Sequence, residues 1–209
     1  MAELTFLYGT MNCGKSAMAL QMHHHRRLAG KRVLLYTLHT REDGVIASRI
    51  GIRHEATVVD ETFGFFADVK RHVLAGVVDE VFVDEAQFCT AAQVEDLAAV
   101  VDQLGIEVWA FGLLSDFTTA LFEGSHRLLE LADSRREMPV EALCWCGRRA
   151  THNARTVDGR IVRGGDTVVV GDLGAGGIAY EVLCRAHHTE GVTRAVAEER
   201  PVRAPTLGF

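Results

Sequence analysis

Residues 9–16 read Gly-Thr-Met-Asn-Cys-Gly-Lys-Ser, an unbroken match to the pattern G-x-x-x-x-G-K-[ST]. Gly9 and Gly14 let the backbone curl until successive N–H groups, those of Thr10, Met11, Asn12 and Cys13 among them, face phosphate oxygens. A helix beginning at the lysine adds its positive end. In this P-loop pattern Lys15 reaches the β- and γ-phosphates of ATP, and the Ser16 hydroxyl sits on Mg²⁺. A second acidic element is expected at the end of another buried strand, and Val81-Phe-Val-Asp84-Glu85 supplies it. Asp84 would hold the Mg²⁺, and Glu85 is placed to accept a proton from an attacking hydroxyl or to orient water.

A third group of residues points to a metal. Cys144-x-Cys146 and Cys184-x-x-His187 offer four ligands of the types that structural Zn²⁺ prefers, with His188 and His152 as nearby alternatives. The two pairs stand 38 residues apart (184 − 146 = 38), enough for two knuckles that clamp a long loop. The other two of the five cysteines, Cys13 and Cys89, read as small apolar packing residues. An odd number of cysteines with no sign of secretion does not make a disulfide framework. His23-His24-His25 cannot form one chelate on a helix, because consecutive side chains point apart, and is read as a polar helix face.

These groups need a scaffold. Apolar runs predict strands at 4–8, 32–38, 80–83 and 106–111, and helical spacing predicts helices over 16–29, 64–75 and 91–104. Strands alternating with helices argue for an α/β fold, a mainly parallel sheet with flanking helices. Residues 39–56 are polar and read as loop. After about residue 138 the texture turns Cys-rich, Gly-rich and β-branched, with Thr167–Val170 the clearest strand. The expected organisation is a nucleotide-binding domain over 1–142, a metal-binding domain over 143–190 and a flexible tail over 191–209.

Composition narrows the classes. The chain has 209 residues, 48% of them hydrophobic and 24% charged, which excludes a disordered chain. No apolar run approaches the roughly 18–20 residues that cross a bilayer. The N-terminus lacks the basic flank of a signal peptide, so a cytoplasmic protein with no membrane partner is expected. Its 22 Lys+Arg against 28 Asp+Glu (22 − 28 = −6) argue against a nucleic-acid surface, which needs a basic face. Lys15 is one of only three lysines, with Lys31 and Lys70, so a lysine inside a motif stands out from surface charge.

Three stretches together resemble one family: Gly9–Ser16, Asp84-Glu85-Ala86-Gln87-Phe88, and Tyr180-x-x-x-Cys184-Arg185-x-His187. They resemble the P-loop, zinc-containing thymidine kinases of bacterial and cytosolic type, over about residues 1–190. The resemblance implies a P-loop NTPase-type sheet with a small zinc-knuckle domain that carries a lasso-like lid over 147–183. It implies transfer of the γ-phosphoryl of ATP to the 5′-hydroxyl of thymidine, with Glu85 as general base and Asp84, Ala86 and Gln87 beside the nucleotide. Met11, Phe88, Leu113, Phe117 and Phe122 would wall the thymine site, with Val170, Gly171 and Tyr180 contributed by the lid. It further implies zinc on Cys144, Cys146, Cys184 and His187, catalytic arginines at Arg41 and Arg155 near the phosphates, and a homotetramer. The lid departs from the family at Asp172–Ile178, which is longer and richer in glycine. A rival reading, a P-loop ATPase or switch whose knuckle binds a protein partner, would need no apolar base pocket and would pass phosphate to water.

Overall fold

The computed structural model describes residues 1–39, 44–165 and 177–199. The chain runs through β1 (Leu4–Gly9), α1 (Lys15–Leu28), β2 (Val33–Thr37), a hairpin of β3 (Val45–Ala47) and β4 (Arg53–Glu55), then β5 (Thr57–Val58), α2 (Phe65–Leu74) and β6 (Glu80–Asp84). One turn of 3-10 helix at Ala86–Phe88 leads to α3 (Ala91–Leu104), β7 (Glu107–Leu113), α4 (Glu123–Leu131) and β8 (Ser134–Glu137). The last part holds β9 (His152–Val157), β10 (Arg160–Val162), β11 (Ile178–Leu183), α5 (Arg185–Glu190) and α6 (Arg194–Glu199).

Among the described residues the main sheet has the order β5-β2-β6-β7-β1-β8, and every pairing in it is parallel. Its central strands are apolar on both faces because both faces are covered, mainly by helices. Leu4 and Phe6 of β1, Val81 and Val83 of β6, and Val108 and Ala110 of β7 share one core with Phe65 and Val69 of α2, Val94, Leu97 and Val100 of α3, and Leu128 of α4. The alternate residues Leu7, Phe82 and Phe111 pack on the opposite face against Ala19 and Leu20 of α1 and Ile46 of β3. Each such side chain contributes roughly 1.5–3 kcal/mol by leaving water. Because the strands are parallel, their carboxyl ends lie along one edge, where open α/β sheets bind ligands. The P-loop after β1, Asp84 and Glu85 at the end of β6, and Leu113 at the end of β7 therefore share that edge.

A second sheet, β10-β9-β11, is antiparallel and carries the cysteine-rich part of the chain. No helix among the described residues is long and apolar enough to cross a membrane.

Several sequence expectations change. Residues 39–56 hold the antiparallel β3–β4 hairpin rather than plain loop. Within the main sheet and its helices, α4 and the edge strands β5 and β8 were not anticipated, β8 because its Ser-Arg-Arg-Glu is mostly exposed and carries no apolar signal. In the last part β9, β10, β11, α5 and α6 were not anticipated. His23 is no solvated helix residue. The hairpin covers that side of α1, leaving His23 4% exposed with its ring edge-on to His54 at 4.3 Å. Within the stretch expected as tail from residue 191, Val192 and Thr193 are buried, Thr193 Oγ1 donates to the Gly159 carbonyl (2.6 Å), and α6 follows; the rest of that stretch lies outside the described residues. The strand expected at Thr167–Val170 lies outside the described residues.

Two predictions follow from this packing. Gly124 opens α4 against the turn after β6, and a Cβ there would stand 2.6 Å from the Ala86 carbonyl oxygen and 2.7 Å from that of Cys89. Gly124→Ala should therefore lower the urea unfolding midpoint, costing about 1–3 kcal/mol. Burial, with smaller contributions from His54, Arg27 and His24, lowers the His23 pKa from 6.5 to about 4. The unfolded chain then takes up a proton that the folded chain refuses. The stability contribution is complete above pH 6.5 and is lost as pH falls toward 4. Denaturation midpoints across that window should fall less for His23→Gln than for the wild-type chain.

Candidate active site and metal knuckle

β1 ends at Gly9, where a Cβ would stand 2.6 Å from Cys13 Sγ, so only glycine lets the loop double back. Gly14 (φ 83°) is left-handed and precedes α1, which has no side-chain cap and no acidic residue in its first turn. The first N–H groups of α1 are thus left for an anion. Lys15 is buried and folds back over the loop, donating to the Thr10 carbonyl at 2.9 Å with Cys13 Sγ at 3.8 Å. From the hairpin, Arg49 donates to the Asn12 side chain.

Asp84 ends β6 and is 3% exposed, beside the Ser16 side chain of the P-loop. Its Oδ1 is buried with no hydrogen-bond partner among the described residues. Burial first, then the charge of Glu85, pushes the Asp84 pKa up to about 7, while Ser16 and Lys15 act in the opposite sense. An orphaned buried carboxyl oxygen beside the P-loop serine is a fitting ligand for Mg²⁺ or one of its waters, whose charge would hold the group ionised.

Glu85 follows in a left-handed conformation (φ 56°, ψ 34°), a position that costs a non-glycine residue on the order of 1 kcal/mol. The turn aims its carboxylate where Gln87 can hold it. The buried Gln87 amide donates from Nε2 to Glu85 Oε2 (2.6 Å) and accepts at Oε1 from the Leu113 N–H (2.9 Å). Gln87, implied beside the nucleotide, is here a brace between Glu85 and β7.

The aromatic residues form two groups on the same edge. Phe88 packs edge-on to Phe122 (5.5 Å, 79°) and to His39 (4.7 Å). Phe117 is buried beneath the Arg155 guanidinium, whose carbon lies 4.0 Å from the ring centre. Arg155 Nη2 donates to the Gly164 carbonyl at 2.8 Å, and Tyr180 pairs with Arg155 across the β9–β11 ladder. Arg155 therefore stands in the wall that carries Phe117. Arg41, Val170 and Gly171 lie outside the described residues.

Ligand atoms of Cys144, Cys146, Cys184 and His187 all lie within 4.8 Å of one another. A tetrahedron with Zn–S arms of about 2.3 Å has edges of about 3.8 Å, and Cys144 Sγ to His187 Nδ1 is already 3.4 Å. The donor set therefore fits a metal such as zinc. Gly147 (φ 81°) closes the Cys144–Cys146 knuckle, and its N–H donates to the Cys144 carbonyl at 2.9 Å. Cys184 caps α5 and places His187 within its first turn. The hydrogen bond from the Arg148 backbone leads the effects that lower the Cys146 pKa, whereas burial raises that of Cys144. Trp145 stacks on the His187 ring (4.3 Å, 13°) and donates to the Val192 carbonyl at 3.0 Å, which fixes the ring plane. Sequence reasoning missed Trp145 as an orienting group, and it missed Asn153, a buried polar residue of β9 that no motif marks.

A parallel sheet with a P-loop, a buried strand-end carboxyl and a glutamate beside it defines a P-loop nucleotide-binding protein with an added Cys₃His knuckle. The sequence model of the family described as "Thymidine kinase" matches residues 2–188. The chain is 50% identical over 200 residues to a thymidine kinase of Cutibacterium acnes, covering 94% of this chain and 93% of that protein. It is 48% identical over 201 residues to one of Streptomyces coelicolor (94% and 93% covered). A thymidine kinase of Lactococcus lactis is 44% identical over 192 residues (90% and 97%). The chain belongs to the thymidine kinase family.

The knuckle generates a prediction of its own. Elemental analysis of the purified protein should find about one zinc per chain, and Cys184→Ser should lose it together with a lower unfolding midpoint, because binding free energy at such a site is folding free energy.

Proposed function

We propose that this protein transfers the γ-phosphoryl group of ATP to the 5′-hydroxyl of thymidine, giving thymidine monophosphate and ADP. The observation that carries the reading is the Glu85 carboxylate, braced by Gln87 at 2.6 Å, one peptide from the buried Asp84 and on the same sheet edge as the P-loop. In this reading residues 9–16 cradle the phosphates, with Lys15 turning from the Thr10 carbonyl to the β- and γ-phosphates. Mg²⁺ arriving with ATP would neutralise phosphate charge, and Ser16 and Asp84 are the residues to hold it. Glu85 takes the 5′-hydroxyl proton as the sugar oxygen bonds to the γ-phosphorus. The bond from that phosphorus to the β–γ bridging oxygen breaks, and ADP carries the electron pair away. Phe88, Phe122, Leu113, Phe117, Met11 and Tyr180 supply walls for a flat, half-apolar base, where stacking contributes roughly 1–3 kcal/mol.

Arg41 is carried in this proposal as a phosphate ligand from the family resemblance, and Val170 and Gly171 as lid contacts. The protein is proposed to act as a cytoplasmic homotetramer with no nucleic-acid or membrane partner.

The direct test is ATP consumption with a panel of nucleosides. ADP should form only when thymidine or a close pyrimidine analogue is present, and steady ATP hydrolysis without any nucleoside would favour the ATPase reading. Glu85→Gln should retain ATP and thymidine binding while kcat falls by about 10²–10⁴-fold, and a near-normal kcat would remove Glu85 as the base.

A further inference from the structure

The nucleotide side and the nucleoside side of the site sit on different segments of chain, and one buried side chain joins them. Asn153 projects from β9 of the metal-binding part and is 4% exposed. Its Oδ1 accepts from the Met11 N–H in the P-loop at 2.8 Å, and its Nδ2 donates to the Ser115 carbonyl at 3.1 Å. Ser115 follows β7 in the segment that carries Leu113 and Phe117. The amide thus spans three parts of the chain that are remote in sequence, with both of its polar atoms engaged.

Its surroundings tie it to the knuckle. Asn153 pairs with Val182 in the β9–β11 ladder, two residues before the ligand Cys184. The Met11 side chain packs on the cluster containing Cys144 and Cys184. Beside it, His188 Nε2 lies 3.2 Å from the Phe117 carbonyl oxygen, a second contact between the same two parts.

We infer that Asn153 is a positioning residue for phosphoryl transfer: it fixes the P-loop and the pocket wall at one separation and carries the order of the metal knuckle to both. This rests on the function proposed above. The Met11 N–H, expected from the sequence to face a phosphate oxygen, is given to Asn153 instead, which anchors the P-loop backbone at that residue. The same amide holds the segment that presents Phe117. In-line transfer depends on the distance between the two ligands, and a displacement of about 1 Å costs on the order of a hundredfold in rate.

The test compares metal-loaded wild-type protein with Asn153→Ala, which deletes both bonds, and Asn153→Asp, which keeps the volume and the acceptor for Met11 but loses the donor to Ser115. Thymidine monophosphate formation is measured against both substrates, with zinc content and unfolding midpoint measured on the same samples. Asn153→Ala should keep its zinc, raise KM for thymidine and lower kcat/KM by about a hundredfold. Asn153→Asp should show the thymidine defect as well. A residue that only packs would lower the unfolding midpoint and leave kcat and KM unchanged. Values within twofold of wild type in Asn153→Ala, or in Asn153→Asp should the first chain not fold, would overturn the inference while the proposed function stands. A wild-type protein that phosphorylates no nucleoside overturns the proposed function and this link with it.

Discussion

The structure turns on one arrangement: a carboxyl group buried at the end of β6, with a glutamate forced into a left-handed turn immediately after it. A parallel sheet makes this possible, because it sends the ends of β1, β6 and β7 to one edge. The P-loop, the buried Asp84 carboxyl and the Glu85 carboxylate then become neighbours with no long loop between them. The arrangement is unfavourable on its own. Asp84 has a buried oxygen with no hydrogen bond among the described residues, and Glu85 occupies a backbone region that side chains avoid. Such local costs persist where surrounding structure over-determines them, and here Gln87, Leu113 and the close-packed Gly124 do so.

The Cys₃His knuckle makes sense against that frame. The antiparallel sheet β10-β9-β11 is small, and its core cluster includes two of the metal-ligating cysteines. So small a unit buries little apolar surface, which is the circumstance in which a metal substitutes for a core. Its contacts with the larger part include specific polar ones beside the packing of Met11: Asn153 to the P-loop, His188 to the Phe117 carbonyl, and Arg155 over the Phe117 ring. A metal held there would act at a distance, by stiffening a sheet whose side chains reach the P-loop and the Phe117 segment.

Much of this was legible in the sequence, for definite physical reasons. The P-loop is local: its glycines, lysine and serine lie within eight residues and need only a strand before and a helix after. Buried parallel strands announce themselves as unbroken apolar runs, as Val81-Phe-Val does. The knuckle was legible because thiols at such spacing have few other uses. What stayed hidden was long-range or short of apolar signal. β8 is an edge strand written Ser-Arg-Arg-Glu, and α4 begins Glu-Gly-Ser-His. His23 looks solvated until the hairpin covers it. Gln87 and Arg155 were legible as members of a site, but their bracing roles depend on partners 26 and 38 residues away (113 − 87 = 26; 155 − 117 = 38). Asn153 is the clearest case, since an asparagine in a strand carries no signal until its two partners are in place.

The central claim is that the acceptor hydroxyl meets Glu85 while the triphosphate lies in residues 9–16. The most direct measurement is a crystal structure of the protein with thymidine and a non-hydrolysable ATP analogue. The account expects the sugar 5′-oxygen about 2.6–3.2 Å from a Glu85 carboxylate oxygen and in line with the γ-phosphorus. A nucleoside bound with that oxygen turned away from Glu85, beyond hydrogen-bonding reach, would contradict it.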